Sequence, residues 1–152
     1  MFTRSSNQRS TKEMLDKSQR TECVDKRPLP TGTERILVID DEQNILNMEQ
    51  DILNELGYKV VAKTSSMEAL MLFQEAPDEF DLVITDIIMP VMAGDQLAQK
   101  ILELRSDIPI IMCTGYNKYI TEGQDKGIRE YLLKPFSMSL LAETVRKVLD
   151  KG

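Results

Sequence analysis

The stretch Arg35-Ile36-Leu37-Val38-Ile39-Asp40-Asp41-Glu42 decides the fold. Four aliphatic residues in a row, with no polar interruption, have the pattern of a strand buried on both faces. Three acids follow at once. Then the period changes: Ile45, Met48, Ile52 and Leu56 fall on one helical stripe, and Gly57 supplies a helix stop. The same alternation recurs downstream. Val60-Val61-Ala62 precedes a stripe of Ala69, Leu70, Phe73 and Ala76. Leu82-Val83-Ile84 precedes Leu97, Ile101 and Leu104. Ile108 and Ile110-Ile111-Met112 form a fourth apolar run, and Tyr131-Leu132-Leu133 a fifth. The last stripe, Met138, Leu141, Val145 and Val148, has Ser137 as its N-cap. Residues 117–127 are polar with a poor stripe and predict a weak, exposed fourth helix. Strand and helix repeated five times imply an α/β fold, a parallel sheet covered on both faces. Right-handed crossovers leave the flavodoxin-like, doubly wound five-stranded sheet of order 2-1-3-4-5, with five helices, as the expected topology.

The remainder of the 152-residue chain bounds the function. Residues 1–34 hold seven basic and five acidic residues and few apolar ones, which predicts a flexible tail and linker that adds little stability. Ser10 and Glu13 allow a capping box and a short helix over about 11–22. Residues 35–152, the expected domain, carry 12 basic and 20 acidic residues. That balance argues against direct nucleic-acid binding. No apolar run approaches the ~20 residues of a membrane span. The chain has no His, which removes His-based acid–base chemistry and phosphohistidine. Two cysteines, Cys23 and Cys113, are too few for a disulfide framework and predict free thiols in a reducing, cytoplasmic setting.

In sheets of this kind function sits at the carboxyl ends of the strands. There the sequence places Asp40-Asp41-Glu42, Asp86, Thr114-Gly115 and Lys134-Pro135. Each has an ordinary reading alone, as a helix cap, a turn residue or a solvated lysine. Together they put three carboxylates, a hydroxyl and an ammonium on one rim. Two carboxylates about 4 Å apart repel by about 1 kcal/mol in water and about 4 kcal/mol at an effective dielectric of 20. Lys134 supplies one counter-charge. A hard divalent cation such as Mg²⁺ suits the all-oxygen donors. Beside such a cation a carboxylate can attack a phosphoryl group, with Lys134 and Thr114 as hydrogen-bond donors to its oxygens.

Residues 35–150 resemble the receiver domain of two-component response regulators. The resemblance rests on Asp40-Asp41, on Asp86 after Leu82-Val83-Ile84-Thr85, on the loop Met89-Pro90-Val91-Met92-Ala93-Gly94, on Thr114-Gly115 and on Lys134-Pro135-Phe136. It implies that Asp86 is the phosphoacceptor. It implies that Asp40, Asp41, Asp86 and the backbone carbonyl of Ile88 hold Mg²⁺, and that Thr114 and Lys134 hold the phosphoryl group. Tyr131 matches the switch aromatic that works with Thr114. Ile88 and Tyr116 would flank the approach of hydrolytic water and so tune the lifetime. The Lys134–Pro135 bond is expected to be cis. The implied partners are a histidine kinase or phosphotransfer protein and a downstream protein, as in a phosphorelay. Output is expected from the face made by the fourth helix, the fifth strand and the last helix. On this reading the chain is a signalling module and not an enzyme with turnover.

Pro28-Leu29-Pro30-Thr31-Gly32-Thr33-Glu34 looks like the junction that precedes a receiver at the end of a hybrid histidine kinase, and equally like the lead-in of a stand-alone regulator. No kinase or DNA-binding segment is seen, so output through the domain surface is expected. A phosphatase of the haloacid-dehalogenase type also uses Asp, Thr or Ser, Lys and Mg²⁺. It places a second acid two residues after the nucleophile, where this chain has Ile88.

Overall fold

The computed structural model describes residues 28–115 and 127–151. The expected helix over 11–22 and nearly all of the one over 117–127 lie outside the described residues. Five strands and four helices follow in strict alternation until β4: β1 (Arg35–Ile39), α1 (Gln43–Glu55), β2 (Lys59–Lys63), α2 (Ser66–Glu75), β3 (Leu82–Asp86), α3 (Gly94–Leu104), β4 (Ile110–Thr114), β5 (Glu130–Leu133) and α4 (Met138–Lys151). Every strand pair is parallel. The order is β2-β1-β3-β4-β5, as the alternation requires. Four helices, rather than the expected five, are seen among the described residues.

Each apolar run divides its side chains between two cores, because successive strand residues point to opposite faces. Leu37, Ile39, Val83, Ile110 and Met112 pack with α2 and α3. Ile36, Val38, Leu82, Ile84, Ile111, Cys113 and Leu132 pack with α1 and α4. The parity carries functional weight. Asp40, Asp86 and Lys134 continue the second set and emerge on the α1/α4 side of the sheet.

The helix ends follow local chemistry. Gly57 has φ 103°, and its N–H donates to the carbonyl of Asn54 at 3.0 Å while that of Tyr58 donates to Leu53 at 3.1 Å. This double bond to the last turn is the Schellman ending of α1. Ser137 caps α4 as its position predicted, its hydroxyl accepting from the Leu140 N–H at 3.0 Å.

The stripe read for α1 is displaced. Leu46, Glu49 and Leu53 are buried, with Leu56 beyond them, whereas Met48 is 46% exposed. That is a rotation of about 100°, one residue in a 3.6-residue turn. The turn before the helix fixes it. Asp40 Oδ1 accepts the Glu42 N–H at 3.0 Å, and the Glu42 carbonyl accepts from Leu46 at 3.0 Å. The first helical turn therefore starts with Leu46 facing inward.

Residues 28–34 are described, and packing begins before Arg35. Leu29 lies against the α1/α4 core, and Arg146 on α4 bonds the Thr31 carbonyl and the Glu34 carboxylate at 2.9 and 2.8 Å. A chain beginning at Arg35 should therefore unfold at a lower temperature than one beginning at Pro28. The drop expected is about 4 °C or more, the shift that about 1 kcal/mol produces in a small domain. Equal calorimetric midpoints for the two chains would show that these contacts contribute nothing.

Candidate functional site

Four strand ends and one loop build the rim. Asp40 leaves β1, Asp86 ends β3 and Lys134 follows β5. The Lys134 Nζ lies 2.6 Å from Asp40 Oδ2 and 3.3 Å from Asp86 Oδ1. Asp40, Asp41 and Asp86 each present a carboxylate oxygen, and these lie within 4.8 Å of one another. Thr114 ends β4, is 2% exposed, and accepts the Lys134 N–H on its carbonyl at 2.7 Å. The Lys134–Pro135 bond is cis, as expected.

The loop after Asp86 is held from behind. The Ile87 N–H donates to the Cys113 carbonyl at 3.0 Å, and the Gly94 N–H donates to the Ile87 carbonyl at 2.7 Å. A Cβ at Gly94 would stand 1.9 Å from the Asp86 carbonyl oxygen, so only glycine lets α3 start this close to the rim. Val91, at the tip of the loop, has φ 70°, an uncommon conformation for a β-branched residue. Ile88 presents a side chain that is 50% exposed.

Burial and charge oppose each other here. Burial raises the Asp86 carboxyl above the ordinary aspartate range; Lys134 pulls it down and Asp40 pushes it up again. Burial works to lower Lys134, but its bond to Asp40 and the charges of Asp86 and Asp40 outweigh that, so the ammonium is held above the usual lysine range. The site thus keeps one fixed positive charge facing three carboxylates.

The sequence reading brought Asp40, Asp41, Asp86, Thr114 and Lys134 to one end of the sheet, and all five lie there. Asp40 and Asp41 are not simple caps of α1: the N-cap is Glu42, and it makes no side-chain cap bond. Tyr131 is partly buried against the α2/α3 core. Tyr116 lies outside the described residues. The reading missed Glu49. This residue is 3% exposed, and its Oε2 is buried with no hydrogen-bond partner. Burial first, and then the charge of Asp40, push its carboxyl up to about 7. Its position three residues after Leu46 and four before Leu53 was the available signal.

Comparison with known proteins covers the same span. The response regulator receiver domain family matches residues 36–146. The two-component response regulator ARR10 of Arabidopsis thaliana is 35% identical over 136 residues, 88% of this chain and 24% of that protein. The probable transcriptional regulator ycf27 of Guillardia theta is 40% identical over 121 residues, 78% of this chain and 46% of that one. The chain spans about a quarter to a half of the length of these curated relatives. Among solved structures, a response regulator receiver domain protein of Clostridium thermocellum superposes with a TM-score of 0.73 at 31% identity, covering 78% of this chain and 95% of that one. The response regulator TrrA of Thermotoga maritima, in complex with Mg(2+)-BeF, gives 0.71 at 36% identity, covering 76% and 99%. Among the described residues no helix is long and apolar enough to cross a membrane.

Glu49 generates a prediction with a definite sign. Its folded value of about 7 stands above the usual glutamate value, so the folded chain keeps a proton that the unfolded chain releases. Stability is unaffected below both values and falls as pH rises between them, by about 1.4 kcal/mol per unit and roughly 3 kcal/mol at most. Glu49→Gln should flatten that decline in urea unfolding between pH 5 and 8 without divalent cations. Parallel pH profiles for the two proteins would show that Glu49 is not the titrating group.

Proposed function

The chain belongs to the response regulator receiver domain family of two-component signalling, and from that membership we propose that its acidic rim accepts a phosphoryl group on Asp86. The observation that carries the reading is the placement of Lys134, 2.6 Å from Asp40 and 3.3 Å from Asp86. One ammonium there binds two carboxylates from different strands and remains charged. An incoming phosphoryl oxygen can replace a carboxylate oxygen in its coordination.

In the proposed reaction an Asp86 carboxylate oxygen attacks the phosphorus of a phosphohistidine on a histidine kinase or phosphotransfer protein. The new P–O bond forms as the P–N bond breaks, and the electron pair leaves with the donor imidazole. Lys134 and the Thr114 hydroxyl donate to the phosphoryl oxygens. Asp40, Asp41 and Asp86 fit a hard divalent cation, since they offer oxygen donors within 4.8 Å and carry more charge than Lys134 offsets, and the Ile88 backbone carbonyl would complete the set. Mg²⁺ held there would neutralise the approaching phosphoryl oxygens.

Signalling follows from a change of partners. Once phosphoryl oxygens draw the Thr114 hydroxyl, Tyr131, on the neighbouring strand, can reorient and alter the face of β5 and α4 for a downstream protein. The bias is limited to the differential affinity of the phosphoryl group for the two states. The same reading makes the chain a phosphorelay component with no turnover on external substrates. Its place of action is the cytoplasm, where ATP-charged kinases present phosphohistidine.

Acetyl phosphate with Mg²⁺ should add one phosphoryl group by intact mass, and Asp86→Asn should abolish it. Full modification of Asp86→Asn would end the assignment, and multiple turnover of an organic phosphate would favour a phosphatase. The lifetime depends on water in line with the bond to Asp86. Ile88 can neither donate nor accept a hydrogen bond, so it cannot orient that water. Ile88→Asn combined with Tyr116→Ala should therefore speed loss of the phosphoryl group after the donor is removed. Equal or slower loss would take these two side chains out of lifetime control.

A further inference from the structure

The lead-in to β1 lies ahead of the family match, which starts at Ile36, yet it is held by a built set of contacts. Arg146 supplies the centre. Its Nη2 donates to Glu34 Oε2 at 2.8 Å, its Nη1 to the Thr31 carbonyl at 2.9 Å and to Glu34 Oε1 at 3.3 Å, and its Nε to Asp150 Oδ1 at 3.1 Å. The Arg146 and Glu34 side chains are 23% and 29% exposed, so this fork is better shielded than an ordinary surface pair.

Backbone packing backs the fork. The Gly32 N–H donates to the Leu56 carbonyl at 3.1 Å, and the Lys59 N–H to the Glu34 carbonyl at 2.9 Å. A Cβ on Gly32 would stand 2.4 Å from Arg146 Nη1, and one on Gly57 would stand 2.5 Å from the Gly32 carbonyl oxygen. Two glycines therefore face each other where the lead-in crosses the end of α1, and neither position admits a side chain without movement. The lead-in, the α1–β2 turn and α4 meet at the end of the sheet opposite Asp86.

We propose that residues 29–34 form a clasp, latched by Arg146, through which α4 holds the lead-in to β1 and passes its own displacement to it. The path is continuous. Lys134 binds Asp40 and Asp86, Ser137 caps α4, and α4 runs unbroken over Met138–Lys151 to the latch. A phosphoryl group that redirects Lys134 shifts the start of α4, and a helix carries that shift to Arg146. By linkage, loosening the clasp also favours the phosphorylated state. This transmission rests on the phosphoacceptor reading; the latch does not.

Amide hydrogen exchange at Gly32 and Lys59 in the full chain tests both parts. Arg146→Ala should raise exchange at Gly32 at least about tenfold, the loss expected for a charge-assisted bond network, while Val83 in the central sheet stays unchanged. Arg146→Lys should fall between, because lysine keeps the charge but not the fork. Glu34→Gln, which leaves α4 intact, should also raise it. Acetyl phosphate with Mg²⁺ should raise Gly32 exchange in the unaltered chain and add little in Arg146→Ala. Unchanged Gly32 protection in all three variants overturns the latch. Unchanged protection in a chain shown by intact mass to carry the phosphoryl group overturns the transmission. A chain that takes no phosphoryl group fails the phosphoacceptor reading instead, and the Arg146 and Glu34 variants still decide the latch.

Discussion

The whole rim depends on one ammonium group. Asp40 is 1% exposed, and a carboxylate that deep is tolerable only with a partner. Lys134 is that partner at 2.6 Å, although β3 and β4 stand between β1 and β5 in the sheet. The lysine must reach across two strands, and its aliphatic stem makes that possible while its head stays charged. Along the way it meets Asp86 at 3.3 Å, on the strand next to β1. The geometry that balances a buried charge is thus the geometry that places a cation beside the candidate nucleophile.

Much of this was legible in the sequence, and the reason is periodicity. Continuous aliphatic runs, the glycine after α1, Ser137 and the acids at the strand ends each report a local requirement that one residue type satisfies. The sheet order then follows from chain connectivity. What escaped was set by tertiary choice. In α1 the uninterrupted stripe Ile45-Met48-Ile52-Leu56 masked the one actually buried, because that one contains Glu49. The packing of 29–34 escaped for another reason. A composition reading measures apolar area, whereas this segment is held mainly by an arginine fork, two backbone bonds and a crossing of glycines. The residues expected to form most of the fourth helix, with Tyr116, lie outside the described part of the chain.

Glu49 is the place where local and global demands conflict. A buried carboxyl with an unpaired oxygen lowers stability, and a leucine there would pack with Leu46 and Leu53 at no such cost. Such conflicts concentrate near functional sites, where stability is traded for chemistry. Glu49 feels the charges of Asp40, Lys134 and Asp86, in that order, so it belongs electrostatically to the rim even though it sits on a helix face. Any cation added to the rim acts on Glu49 as well, through the low-dielectric core that separates them.

The C-terminal segment closes the fold twice on β1. Lys134, just before α4, binds the acid that follows β1; Arg146, within α4, binds the acid that precedes it. The two bonds span 94 and 112 residues of sequence. Contacts of such separation carry a loop-closure cost that local contacts do not, and they tie the two ends of the domain into one unit. Until β5 and α4 arrive, Asp40 and Glu34 at the two ends of β1 lack their partners, and Asp40 cannot be buried cheaply as an anion. The same arrangement makes the finished domain a lever with its two ends charged. One end of β5–α4 is held by the rim, and the other holds the entering chain. A change of charge at the rim therefore acts on a helix whose far end is already fixed to something that can respond.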